Sequence, residues 1–492
     1  MTGRRMGLTI ENLSVRDAAG RALVSSFSLV LPASSIHIIL GESGAGKSIV
    51  CAAVAGTLSQ DLHCSGRIIL DHVELSALLP RERRATWSRD VFLLPQEPWN
   101  ALAPSRSLIG QVADMPRTHR HESRRQAFAS SESILGKLGL SDPQDLFKRP
   151  MELSGGMAQR ACVATALGAP ARLILVDEPT KGLDASRRRE VAEALRLFVE
   201  EGRSVIVVTH DLALAAMLGG STTVVREGAI VERGNTDDVL AHPKQAYTKQ
   251  LIEADPACWP ELSFRSGASV ASLSNVSVRA GSDGPIIAER LDLQVGSGEI
   301  VGLVGPSGSG KTTIGDTILK LKPPVTGDVV WSSSRRKAYQ KIYQNSGAAF
   351  APWRTLGASV SDAVEQKRSG WSANRHNVDA LMSSVGLATT ILDRKPHQVS
   401  GGEMQRISLV RCLLCEPVFI FADEPTSRLD ALTQKAVMQM LANAVIEFRI
   451  GMLLVSHDQE LVRRMTSRSV DLQEGQRNSC RIGAFARCES VV

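Results

Sequence analysis

The chain has 492 residues, 43% of them hydrophobic and 22% charged, with a formal net charge of +6. This ordinary globular composition excludes a disordered chain, and no apolar run approaches the ~18–20 residues that span a bilayer. The 57 basic residues are offset by 51 acidic ones without a long basic block, so the excess does not itself mark a nucleic-acid or lipid surface.

The opening stretch "MTGRRMGLTIENL" lacks the apolar core of a signal peptide. Eight cysteines are scattered without a disulfide framework, which fits a reducing compartment. A cytoplasmic protein that touches a membrane only through a partner is expected. Cys412 and Cys415 form a CxxC inside the apolar helical stretch "LVRCLLCEP", and they read as packing residues.

In chain order, the apolar strand "IHIIL" runs into "GESGAGKS", residues 41–48, and a helix should follow. Next come "LLPQEPWNALAP", "LSGGMAQR", the acidic strand end "LILVDEPTKGLD" and the strand "SVIVVTHD". The second half repeats the series: "EIVGLV", "GPSGSGKT" at 305–312, "KIYQNSGAAFAP", "VSGGEMQR", "FIFADEPTSRLD" and "GMLLVSHD". The first half carries about 18 extra residues between glycine loop and signature, and the later motifs keep near-constant register. Strands alternating with helices predict parallel α/β sheets. Strands such as "LILV" and "VFIFA" are apolar at every position, as strands covered on both faces should be. Asp184 and Asp430 should cap the helices that follow them. A first domain is expected over 1–256, a Pro- and Ser-containing linker over 257–268, and a second domain over 269–492.

Each motif has a chemical reading. In G-x-x-x-x-G-K-[S/T] the glycines let backbone N–H groups turn inward around phosphate, and the helix N-terminus adds positive potential. The candidate phosphate-binding residues are Gly41, Glu42, Ser43, Gly44, Ala45, Gly46, Lys47 and Ser48. In the second half they are Gly305, Pro306, Ser307, Gly308, Ser309, Gly310, Lys311 and Thr312. Lys47 and Lys311 reach the β- and γ-phosphates, while Ser48 and Thr312 offer a hydroxyl to Mg²⁺. Asp177 and Asp423 end buried strands, where a bound magnesium offsets the cost of burying a carboxylate. Glu178 and Glu424 follow, placed to polarise an attacking water. His210 and His457 recur 33 and 34 residues after those aspartates, which favours contact with the γ-phosphate over a structural role.

The signatures "LSGGMAQR" and "VSGGEMQR" complete a resemblance to tandem ATP-binding cassette ATPases, covering nearly the whole chain. The resemblance implies two P-loop NTPase domains, each a mostly parallel sheet with flanking helices plus a helical signature subdomain. It implies that Ser400, Gly401 and Gly402 close the site of the first loop, and Ser154, Gly155 and Gly156 that of the second, so that both ATP sites are composite. It makes Gln96 and Gln344 the residues linking metal and water to the transport partner, with both among the candidate metal ligands.

"NALAP", "AAFAP" and residues 227–256 resemble the importers of oligopeptides, dipeptides, nickel or metal-chelating metallophores. The implied system has two integral membrane permease subunits and an extracytoplasmic solute-binding protein, with the ATPase peripheral on the cytoplasmic face of the inner membrane. No nucleic acid is expected. The alternative, a soluble tandem ATPase acting on ribosomes or nucleic acid, usually brings a long charged linker, inserted zinc fingers or an iron–sulfur domain, and this sequence has none of these. Importer-like segments also disfavour an exporter.

Three departures stand out. No aromatic residue occupies the usual adenine-stacking region, where Arg16 and Arg279 are the candidates instead. Arg428 replaces a small residue in "SRLD". Only Cys258 lies where subfamily members carry an iron–sulfur cysteine group, so no cluster is expected.

Overall fold

The computed structural model describes residues 7–42, 44–97, 101–180, 185–281, 284–306, 308–364, 378–426, 429–472 and 481–483. The chain divides into two compact units, Met1–Ile252 and Glu253–Val492.

Among the described residues the first unit has ten strands: β1 Leu8–Arg16, β2 Ala22–Leu31, β3 Ile36–Leu40, β4 His63–Leu70, β5 Val73–Glu74, β6 Val91–Leu94, β7 Leu173–Asp177, β8 Ser204–Thr209, β9 Ser221–Arg226 and β10 Ala229–Asn235. They make an antiparallel sheet, β2-β1-β4-β5, and a six-stranded sheet, β10-β9-β3-β8-β7-β6. The latter is parallel except for the β9–β10 hairpin. Every residue of β3 and β8 is buried, so these strands are covered on both faces. β1 instead buries Leu8, Ile10, Leu13 and Val15 on one face. Helix Lys47–Ala55 lies in the core shared by the two sheets, with Val50, Cys51 and Val54 packed among Phe27, Ile39, Leu175 and Ile206. Each such fully buried side chain contributes about 1.5–3 kcal/mol. The antiparallel sheet is an addition to the parallel one that strand–helix alternation predicts.

The second unit repeats this plan with β11 Ser269–Arg279, β12 Ile286–Gly296, β13 Ile300–Val304, β14 Thr326–Trp331, β15 Tyr339–Ile342, β16 Phe419–Asp423, β17 Gly451–Val455, β18 Arg468–Asp471 and β19 Arg481–Gly483. The sheets are β12-β11-β14 and β15-β16-β17-β13-β18-β19. Most of the extra length in the first half lies before β6, as β5, the turn Leu75–Ala77 and the helix Pro80–Ala85. In both units a tryptophan serves the C-terminal end of the loop-bearing helix. Trp87 Nε1 donates to the Ala55 carbonyl at 2.8 Å, and Trp331 Nε1 to that of Ile318 at 2.7 Å.

Each unit carries the expected helical part. Helices Leu108–Arg120, Arg124–Lys137 and Gly155–Gly168 pack on one another in the first. In the second, Leu356, Val360, Met382, Ile407 and Val410 form a separate apolar cluster. Residues 257–268 do not run free. Trp259 is buried in the core beneath helix Ala431–Glu447, and its Nε1 donates to the Ala254 carbonyl at 3.0 Å. Leu262 N–H donates to the Arg464 carbonyl, and Arg463 pairs with Glu261 at 2.7 Å.

Candidate active site

The two glycine loops have the same construction. Gly46, at φ +92°, immediately precedes helix Lys47–Ala55, and a Cβ there would lie 2.6 Å from the Leu23 carbonyl oxygen. Gly310 repeats this at φ +94°, ahead of helix Lys311–Ile318. Among the described residues neither helix has a side-chain cap, which suits its first N–H groups to an anion. Lys47 is buried, and its ammonium donates to the carbonyls of Gly41 and Glu42 at 2.8 and 2.7 Å, bracing the loop. Lys311 does the same to Gly305 and Pro306, both at 2.7 Å. Burial holds both ammonium pKa values below the usual lysine range, although Glu178 with Asp177, and Glu424 with Asp423, pull the other way. Gly44, Ala45, Gly308 and Ser309 complete the described loop, while Ser43 and Ser307 lie outside the described residues.

Beside each loop stands the acidic strand end. Ser48 Oγ donates to Asp177 Oδ1 at 2.9 Å, and Thr312 Oγ1 to Asp423 Oδ1 at 3.3 Å. Asp423 is 4% exposed, and burial pushes its carboxyl above the usual range. A hydroxyl beside a carboxylate is a hard-oxygen donor set, and a buried acid whose charged form is disfavoured gains most from a cation. These residues therefore fit a hard divalent cation such as Mg²⁺. No cluster of three or more His, Cys, Asp or Glu suited to a metal occurs among the described residues.

Glu178 and Glu424 are both in the left-handed backbone region, at φ +47° and +48°. A non-glycine residue there is strained, and recurrence at matching positions points to function. Each is fixed by its own N–H, which donates to the carbonyl of Val208 at 2.8 Å or Val455 at 3.0 Å. The Glu178 carboxylate lies 2.7 Å from His210 Nδ1 and 3.6 Å from Lys47 Nζ. Burial alone would raise its pKa, but His210 and Lys47 outweigh it and hold the carboxyl below its usual value. The Glu424 carboxylate lies 2.5 Å from His457 Nε2 and accepts from Gln344 Nε2 at 2.6 Å. Gln96 is solvent-exposed just after β6. The histidines are placed by the next residue: Asp211 and Asp458 cap short helices, accepting from Leu214 and Leu461 N–H.

Ser154 and Ser400 cap the signature helices Gly155–Gly168 and Gly401–Leu414, and Gly155, Gly156, Gly401 and Gly402 form their first turns. The Ser400 cap is reciprocal, because Glu403 accepts from the Ser400 N–H at 2.8 Å. Sequence reasoning missed the glutamines within these signatures. Gln159 Nε2 donates to the Pro179 carbonyl and Gln405 Nε2 to that of Pro425, tying each signature helix to the residue after its glutamate. Their matching place in the two repeats was the available signal. Tyr247 was also missed, and its hydroxyl reaches the first glycine loop.

Arg16 ends β1 with its guanidinium donating to the Gly20 carbonyl at 3.0 Å, and Arg279 ends β11. Asp430 caps its helix, accepting from Thr433 N–H at 3.0 Å, while Asp184 and Arg428 lie outside the described residues, as does most of the C-terminal tail. Cys412 is buried in the second signature helix, in keeping with a packing role. No described helix is long and apolar enough to cross a membrane.

Parallel sheets whose glycine loops lead into helices beside Asp-Glu strand ends define a P-loop nucleotide-hydrolysing protein, and this chain contains the arrangement twice. The sequence profile of the ABC transporter family matches residues 24–181 and 288–427, one region in each unit. The chain belongs to that family, as a tandem ATP-binding ATPase. The peptidoglycan transport ATP-binding protein YejF of Agrobacterium fabrum is 29% identical over 498 residues, covering 95% of this chain and 91% of that protein. The glutathione import ATP-binding protein GsiA of Escherichia coli (strain K12) is 28% identical over 530 residues, covering 95% and 85%. A solved structure of RNase-L Inhibitor aligns with a TM-score of 0.64 at 20% identity, over 94% of this chain and 87% of that one, a likeness of fold.

Proposed function

We propose that the chain is the ATP-binding subunit of an importer, peripheral on the cytoplasmic face of the inner membrane, working with two permease subunits and a solute-binding protein. The observation that carries the catalytic part is the doubled glutamate–histidine pair, with each glutamate held in the left-handed backbone region in both units. The relatives support import. Glutathione and peptidoglycan both contain peptide, which favours a peptide-containing cargo over nickel or a metal chelate.

In this reading the glycine-loop N–H groups and Lys47 or Lys311 hold the phosphates of ATP. Ser48 with Asp177, and Thr312 with Asp423, hold Mg²⁺, which supplies charge neutralisation on the phosphates. Glu178 or Glu424 orients a water and accepts its proton as the water oxygen bonds to the γ-phosphorus and the bond to the β,γ-bridging oxygen breaks. His210 or His457 steadies the carboxylate and contacts the γ-phosphate. Gln96 and Gln344 carry the state of the site toward the permeases. Ser154, Gly155 and Gly156, with Ser400, Gly401 and Gly402, contact nucleotide as second helix termini, as the family resemblance implies.

Affinity purification of the full chain from membranes is the test. Recovery of two integral membrane proteins, with ATP hydrolysis stimulated by a peptide-loaded binding protein, is the expected result. Recovery with ribosomes and no membrane subunits would replace this reading with the soluble ribosome-acting one.

A further inference from the structure

The two units differ at the carboxylate assigned to the metal. In the second, Lys341 on β15 is nearly buried, its side chain 9% exposed, and its ammonium lies 2.5 Å from Asp316 and 3.8 Å from Asp423. Asp316 lies on the loop-bearing helix Lys311–Ile318. The Lys341 ammonium also stands 5.2 Å from the centre of the Phe421 ring and 5.1 Å from that of Tyr343. Phe421 is seated by Gly315, where a Cβ would fall 2.0 Å from the ring. The repeat places Ala52 and Leu93 at the positions of Asp316 and Lys341 in the first unit, and Leu93 pairs with Leu175 as Lys341 pairs with Phe421. The first unit therefore has two uncharged side chains where the second has a buried ion pair.

We propose that Lys341 is a resident cation beside the metal carboxylate of the second unit, positioned by Asp316, and that it gives this unit a weaker divalent-cation affinity than the first. The inference rests on the reading that Asp177 and Asp423 hold the metal. A fixed ammonium within 4 Å of a carboxylate oxygen satisfies part of the charge that would attract Mg²⁺, and little water intervenes to screen it. Asp316 restrains that competition. Its contact with the ammonium is the shorter one, so Lys341 cannot close fully on Asp423 while Asp316 is present. The two ATP sites thereby differ in cation demand, with the second loading only at higher free Mg²⁺.

The test is a Mn²⁺ titration of the full chain with a non-hydrolysable ATP analogue, reading free Mn²⁺ by electron paramagnetic resonance. Two classes of nucleotide-dependent sites about tenfold apart are expected, the low end for a charge at this distance. Asp423→Asn should remove the weaker class and Asp177→Asn the tighter one. Lys341→Leu should tighten the weaker class about tenfold, and Asp316→Asn should weaken it further. Asp316→Ala with Lys341→Leu restores the uncharged pair of the first unit, guards against misfolding of a single variant, and should make the classes coincide. A weaker class unmoved by both Lys341→Leu and the double variant would overturn the inference. A single wild-type class, with Asp423→Asn still removing half the sites, would overturn it while leaving the Asp423 assignment standing. Absence of nucleotide-dependent Mn²⁺ binding would overturn both.

Discussion

The Tyr247 hydroxyl accepts a hydrogen bond from the Glu42 amide at 3.3 Å, although the two residues are 205 positions apart. Glu42 belongs to the first glycine loop, and Tyr247 to helix Ala246–Glu253, in the segment that resembles the importer C-terminal element. The Arg226 guanidinium lies 5.0 Å from the centre of the Tyr247 ring. Burial, with Glu42 nearby, pushes the phenol up to about 12, so it stays protonated at neutral pH. Tyr247→Phe removes the acceptor and leaves the amide unbonded on this side. One such bond is worth about 1 kcal/mol, so nucleotide affinity at the first loop should fall about fivefold. Fluorescent-nucleotide binding in a Lys311→Ala background isolates that loop, and unchanged affinity would show that the contact does not steady it.

His37 gives a pH dependence. It is 1% exposed as the second residue of β3, with Nδ1 2.7 Å from Ser221 Oγ and Nε2 3.0 Å from Thr223 Oγ1. Burial first, then Arg233, lowers its pKa to about 3. The unfolded chain takes up that proton near pH 6.5 and the folded chain does not, so stability is full above about 6.5 and falls as pH drops toward 3. The slope contributed should approach 1.4 kcal/mol per pH unit, about one proton. Denaturant midpoints at pH 7.5 and 5.0 should differ less in His37→Gln than in the wild type, and equal differences would refute the assignment.

Trp259→Ala should destabilise the second unit by about 3–5 kcal/mol, because it empties a large buried site. Hydrogen exchange along helix Ala431–Glu447 reads this locally, with faster exchange expected and wild-type protection contradicting the anchor.

Arg16→Ala and Arg279→Ala should each weaken ATP binding if a guanidinium stacks on adenine in place of the missing aromatic ring. Competition against GTP separates base contact from phosphate contact. Unaltered ATP affinity in both variants would end that idea.

Much of the site was legible because its chemistry requires fixed residue types at fixed spacing. Lys47, Ser48, Asp177, Glu178 and His210 are met in sequence order, and their second-half counterparts recur in register. Geometry that depends on distant partners was not legible. The left-handed backbone of Glu178 and Glu424 leaves no compositional trace, since it is held by the carbonyls of Val208 and Val455 on neighbouring strands. The hydrogen bond from Glu42 to Tyr247 arises only when the C-terminal element folds back. The Pro and Ser content of 257–268 signals loop, yet one tryptophan seats the segment in a core. Nothing in the sequence marks Lys341, because its partner Asp316 lies 25 positions away and is brought beside it only by folding.

The central claim is that Glu178 and Glu424 activate the water that cleaves ATP. Single-turnover hydrolysis with γ-labelled ATP tests it most directly in Glu178→Gln combined with Glu424→Gln. The account predicts retained ATP binding with the cleavage rate reduced by at least ~10²-fold, the scale of a lost general base. Cleavage near the wild-type rate in that double variant would contradict it.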